Sequence, residues 1–167
     1  AEPWPIDGLY QADDFSADVW TMYRGEGPQP LTCGMGPDLD KAFMVIPGQF
    51  VVVTGIPNHG KSRWPDQVSV SMASIHRWSW AVFSPETGSA NHISDLCEIK
   101  ACRPFHSGFT DRMNDLELTE TLQWVNERFA FIDSGEHTPS IDWILERARA
   151  AVLRKGIRGL ILDRNGV

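Results

Sequence analysis

Positive charge is scarce in this sequence. Lysine and arginine total 15 against 22 acidic residues, a net charge of −7. Such a balance excludes a domain that grips nucleic-acid phosphates over its whole surface, so any such contact has to come from a local patch. Long apolar runs are missing too, and none approaches the roughly 20 residues that cross a bilayer as a helix. The first residues, Ala1-Glu2-Pro3-Trp4-Pro5, offer neither a basic flank nor an apolar stretch, so no signal peptide is expected. The expectation is an intracellular, cytoplasmic protein with no membrane partner. Cysteine is sparse, and Cys33, Cys97 and Cys102 lack zinc-site spacing, so they read as reduced thiols that mostly fill core space. The histidines form no H-x-x-x-H pair and there is no G-x-S-x-G elbow, which argues against a zinc centre and against a serine hydrolase.

What is present suits a single α/β domain. With 167 residues and 42% hydrophobic content the chain is long enough to bury a sizeable core. Residues 1–46 are cut into short pieces by proline and glycine and read as a linker or docking arm. Within them Asp14 is a candidate helix cap, and Phe15, Val19, Trp20 and Tyr23 share one apolar face. That face suits docking on a neighbour or packing on its own domain equally well. The remainder, 47–167, alternates strands and helices. Strands are expected at Phe50–Thr54, Trp78–Phe83, Phe129–Ile132 and Gly159–Asp163. Helices are expected over about 61–75, 91–102 and 111–128, and again from the Ser140 cap to Lys155-Gly156. In the last helix Ile141, Ile144, Leu145, Ala148, Val152 and Leu153 make the apolar stripe. Strand–helix alternation of this kind implies right-handed crossovers and a mainly parallel sheet flanked by helices.

The most informative stretch is Gly55-Ile56-Pro57-Asn58-His59-Gly60-Lys61-Ser62, a complete G-x-x-x-x-G-K-S. Its glycines let the backbone curl until successive N–H groups face phosphate oxygens, and the helix that follows presents its positive end. Lys61 would meet the β- and γ-phosphates of ATP as a point charge, and the Ser62 hydroxyl would coordinate Mg²⁺. The segment follows an expected strand and precedes an expected helix, which is the context this chemistry needs.

Two carboxylates sit at strand ends. Asp163 closes the run Leu160-Ile161-Leu162 and suits support of the Mg²⁺. Glu86 follows Phe83-Ser84-Pro85 and has two readings, a base that activates water or a solvated loop residue.

With these pieces placed, the chain resembles the RecA-like P-loop core of replicative ring helicases of the DnaB and Twinkle kind, most closely the helicase half of phage-type primase–helicases. Residues 47–62, Phe83-Ser84-Pro85-Glu86 and Ile157–Asp163 carry the likeness, with Gly8-Leu9-Tyr10 and Leu39-Asp40 similar to the linker ahead of such cores. The resemblance implies a DNA-unwinding ATPase in which Glu86 is the catalytic base. It further implies a homo-oligomeric ring of six subunits, ATP at the interfaces and single-stranded DNA in the channel. The family's sensor strand, DNA-binding loops and arginine finger follow the segment matched here. The chain therefore reads as an RecA-like domain incomplete at its C-terminus, not expected to unwind DNA alone.

Against the family pattern, His59 stands where small residues are common, at a position that contributes mainly backbone. Pro65 is a stronger departure. In a helix that starts near Gly60 it would remove a hydrogen bond to Lys61, at about 3 kcal/mol, and bend the helix or impair the site. Two rival functions remain, a small P-loop kinase and a non-catalytic nucleotide-binding or assembly module. The basic residues Arg147, Arg149, Arg154, Lys155 and Arg158 read as a solvated face, Trp124 and Trp143 as helix-core residues, and Trp4, Trp20 and Trp64 as contacts for a neighbouring subunit.

Overall fold

The structure, a computed structural model, describes residues 8–56, 59–135 and 138–163. Three parallel strands form its centre, β3 (Trp80–Phe83), β4 (Phe129–Phe131) and β5 (Gly159–Leu162), in the order β4-β3-β5. Every residue of β3 is buried, as expected of a strand with neighbours on both edges and helices on its faces. Its register sets Ala81 opposite Ala130 on one side and Leu160 on the other. The connection from β3 to β4 runs through α4 (Ser89–Ala101) and α5 (Asp115–Arg128), and the one from β4 to β5 through α6 (Ile141–Lys155). The mixed α/β architecture with a parallel sheet is thus as expected.

Close packing at the strand starts follows from one small residue. A Cβ built on Gly159 would lie 2.1 Å from the Trp80 ring, so the indole occupies the space that any side chain there would need. Met72, Leu96, Val82 and Cys97 are among the most deeply buried side chains, where α3 (Arg63–Ile75) and α4 meet the sheet.

Residues from the N-terminal third also reach this core. A two-stranded antiparallel sheet, β1 (Leu31–Thr32) and β2 (Met44–Val45), encloses the short helix α2 (Pro37–Ala42). Ser71 Oγ donates to the Cys33 carbonyl, His76 Nε2 lies 2.8 Å from the Thr32 carbonyl, and Phe43 stacks edge-on against Trp64 at 5.6 Å. Trp64, expected to face a neighbouring subunit, therefore packs within its own chain. Ahead of this, a 3-10 turn (Ala12–Phe15) leads into α1 (Ser16–Tyr23), and neither element has a buried residue. Asp14 accepts from Gln11 N at 2.7 Å, which closes the turn instead of capping α1.

Several boundaries differ from expectation, each for a local reason. The run Phe50–Thr54, expected to be a strand, has no regular structure; Phe50 is 86% exposed and Val52 66%. A β-branched run becomes a strand only where a ladder receives it, and among the described residues none pairs with it. Among the described residues three strands of the parallel sheet, not four, are formed. Helix α5 starts at Asp115 rather than near 111 because Asn114 and Glu117 make a reciprocal capping box: Asn114 Oδ1 accepts from Leu116 and Glu117, and Glu117 accepts from Asn114 N. In α6 the Ser140 cap and the left-handed Gly156 stop are as expected. Its apolar stripe is only part-covered, for Ile144 and Ala148 are buried while Ile141, Leu145, Val152 and Leu153 are exposed.

Candidate functional site

The start of α3 is where the glycine-rich segment meets regular structure. Gly60 has φ +79°, a left-handed conformation that a side chain disfavours, and it turns the chain into the helix. Its carbonyl accepts from Trp64 N at 3.1 Å. Behind it the Lys61 side chain folds back across the loop. A Cβ on Gly55 would lie 3.4 Å from Lys61 Cγ and 3.6 Å from Cδ, so the two ends of the motif are in near contact. Lys61 and Ser62 are half-buried, and Gly55, Ile56 and Gly60 are exposed. His59 N donates to the Ile56 carbonyl at 3.3 Å, which narrows the turn. Pro57 and Asn58, the other two motif residues, lie outside the described residues.

Pro65 proves less disruptive than the sequence suggests. The regular helix begins at Arg63 with Ser62 as its N-cap, so Pro65 is its third residue. In a first turn the amide that proline lacks has no partner to lose. Its trace is a gap in the ladder: Trp64 bonds to Gly60, and Asp66 N reaches the Ser62 carbonyl only at 3.5 Å.

Glu86 and Asp163 stand at the carboxyl ends of adjacent strands. Asp163 N donates to the Phe83 carbonyl at 3.0 Å, one residue beyond the last paired position of β5. Glu86 is exposed in the turn after β3, which is held by Ser84 Oγ to Thr87 Oγ1 at 3.1 Å and by Asn91 Nδ2 to the Thr87 carbonyl at 3.0 Å. The same turn leads into α4 through Gly88, at φ +74°. Beside it a cleft of about 40 Å³ lies between Phe83-Ser84-Pro85 and Ile132-Asp133-Ser134.

Sequence reasoning missed the polar contacts that fasten α3 to α4. Buried Asp66 and His92 meet at 2.7 Å through Asp66 Oδ1 and His92 Nε2. Arg63 Nη1 reaches Asp95 at 2.9 Å and Nη2 reaches Glu98 at 3.2 Å. Burial alone would lower the His92 pKa. The Asp66 hydrogen bond and the carboxylates of Asp66, Asp95 and Asp163 outweigh it and raise the pKa above the ordinary imidazole value. Asp163 therefore shares an electrostatic neighbourhood with His92, and through it with the first turn of α3. The burial of His92, though not its partner, had a signal, since His92, Leu96 and Ile99 recur at i, i+4 and i+7 on a buried helical face.

Comparison with known proteins adds one relationship. The chain is similar to the Twinkle homolog protein, chloroplastic/mitochondrial, of Arabidopsis thaliana. The two are 39% identical over 169 residues, 98% of this chain and 24% of that protein. The chain thus spans about a quarter of the relative's length. No family model matches the chain. No solved structure matches it. The Twinkle relationship supports the DnaB/Twinkle-type kinship that the motif-bearing residues suggest. No helix among the described residues is long and apolar enough to cross a membrane.

Proposed function

We propose that this chain is the nucleotide-binding part of a RecA-like P-loop ATPase, within a replicative DNA helicase or primase–helicase. The observation that carries the reading is the closure of the G-x-x-x-x-G-K-S loop, with Lys61 folded against Gly55 at the start of α3. Similarity along almost the whole chain to a Twinkle homolog supports the helicase assignment.

The donor chemistry fits Mg·ATP. A serine hydroxyl and a carboxylate are hard oxygen donors of the kind Mg²⁺ accepts while keeping part of its water shell. Ser62 and Asp163 would hold the ion, which supplies charge neutralisation across the β- and γ-phosphates. Lys61 binds the same oxygens as a point charge. Backbone N–H groups of the Gly55–Ser62 loop, from Gly55, Ile56, Asn58, His59, Gly60, Lys61 and Ser62, would cradle the phosphate chain, while Pro57, which has no N–H, only shapes the turn. Glu86, exposed at the end of β3, accepts a proton from the attacking water and orients it. In the whole protein, ATP would lie between subunits of a six-membered ring with single-stranded DNA in its channel.

A second reading, a nucleotide-binding module without catalysis, draws on the 50–54 run. That segment leads into the loop but joins no sheet, so the loop lacks a rigid strand behind it. Binding of a fluorescent ATP analogue with Mg²⁺ tests the nucleotide site, with Lys61→Ala as control. A Lys61→Ala variant that binds as tightly as the parent overturns the P-loop assignment. Binding that depends on Lys61, without any hydrolysis after assembly with full-length ring subunits, favours the module.

A further inference from the structure

We propose that His92 and Asp66, with Arg63, Asp95 and Glu98, are positioning residues that hold Lys61 and Ser62 in register with the carboxyl ends of β3 and β5. This inference rests on the P-loop reading.

The geometry is a clamp between two helices. On α4, His92, Asp95 and Glu98 recur every three residues and so lie along one side. Each contacts the first turn of α3: His92 takes Asp66 at 2.7 Å, Asp95 takes Arg63 at 2.9 Å, and Glu98 takes Arg63 at 3.2 Å. Arg63 immediately follows Ser62, and Asp66 is one helical turn beyond it. The clamp grips the point where the backbone ladder is thinnest, since the first turn holds a proline with no amide to offer and the Asp66-to-Ser62 bond is 3.5 Å long. A loop whose own ladder is interrupted takes its orientation from side chains instead.

The N-terminal end of α4, which carries His92, also connects to the other half of the site. Its first turn grows from the Glu86 turn through Gly88, whose carbonyl accepts from His92 N at 3.1 Å. A single residue is thus tied by its backbone to the Glu86 turn and by its ring to the α3 first turn. Burial makes the tie directional, since the two side chains are only 4% and 7% exposed and exchange with water is closed off. The Phe131 ring packs edge-on to the imidazole at 6.2 Å. Nδ1 of His92 has no partner among the described residues, so the Asp66 bond alone fixes the ring's hydrogen bonding.

Affinity for a fluorescent ATP analogue with Mg²⁺, measured on the chain well below its unfolding midpoint, tests the proposal together with amide exchange at Trp64 and Asp66. His92→Leu removes the donor and should weaken binding about tenfold, the low end of the range seen when supporting contacts to a bound ion's ligands are lost. His92→Gln restores an N–H near the Nε2 position and should stay within about twofold of the parent. In His92→Leu the Trp64 and Asp66 amides should exchange faster before any nucleotide is added. If His92→Leu does not fold, Arg63→Met takes its place, breaks only the exposed contacts, and should show the same faster exchange with about two- to threefold weaker binding. A folded variant that keeps parental exchange or affinity overturns the proposal while Lys61-dependent binding stands. A parent that binds no nucleotide, or binds it without need of Lys61, removes the P-loop reading itself and the proposal with it.

Discussion

His92 Nε2 lies 2.7 Å from Asp66 Oδ1, with both side chains buried between α3 and α4. The pair has a consequence for stability. Burial alone would lower the imidazole pKa, but the Asp66 hydrogen bond and the carboxylates of Asp66, Asp95 and Asp163 raise it in the folded chain. A group whose pKa is raised on folding stabilises the fold fully below its unfolded value and loses that contribution as pH rises through the folded one. Urea unfolding of the metal-free chain should therefore show stability that declines with pH from the ordinary imidazole value of 6.5 upward. In His92→Gln the decline should flatten. An unchanged slope in that variant would assign the pH dependence to other groups.

Gly159 and Trp80 set a second expectation. The indole fills the space where a Cβ would stand, at 2.1 Å, and β3 is locked between two strands and cannot retreat. Gly159→Ala should destabilise the fold by about 1–3 kcal/mol, the usual cost of overpacking a rigid core. Trp80→Leu in the same chain should recover part of that loss, so the two changes should be less than additive. Additive losses in chemical unfolding would mean that the two positions do not compete for space.

The three thiols should react in two classes. Burial raises the Cys33 pKa, with the Asp40 carboxylate adding to it. Burial also raises that of Cys97, against a smaller opposing pull from its hydrogen bond with Thr121. Both are shielded from solvent, whereas Cys102 is exposed at the left-handed end of α4. A thiol reagent at neutral pH should modify one cysteine quickly and the other two only on unfolding. Rapid modification of all three would show that the α3–α4–sheet core opens readily.

Much of this architecture was legible in the sequence because periodicity reports burial directly. Residues 80–83, 129–131 and 159–162 carry short apolar runs, and each became a strand with its neighbours in place. Run Phe50–Thr54 carries the same signal and did not, because composition states a preference while a ladder needs a partner that composition does not name. Capping decided one boundary that hydrophobic pattern left open: the Asn114–Glu117 box set the start of α5, whereas α3 starts at Arg63 with no side-chain bond from Ser62. At the site, the glycine spacing and strand-end carboxylates were readable locally. The Asp66–His92 contact was not, since it joins residues on separate helices, and nothing at either position marks the other.

Gly60 gives the final expectation. At φ +79° it occupies a region that costs a side-chain-bearing residue about 1–2 kcal/mol, yet among the described residues a methyl group there would meet no neighbour. Gly60→Ala therefore penalises the backbone conformation alone, without a clash. Because that conformation directs the chain from the loop into α3, the substitution should shift the loop away from the turn that brings Lys61 against Gly55. Affinity for a Mg²⁺-bound ATP analogue should fall about tenfold, the equivalent of the backbone cost, while the unfolding midpoint changes little because the loop is exposed. Gly55, whose φ is not positive, should tolerate alanine better, since the Lys61 methylenes need yield only a few tenths of an ångström. Equal losses at both glycines would point to a requirement for flexibility along the loop rather than for one left-handed residue.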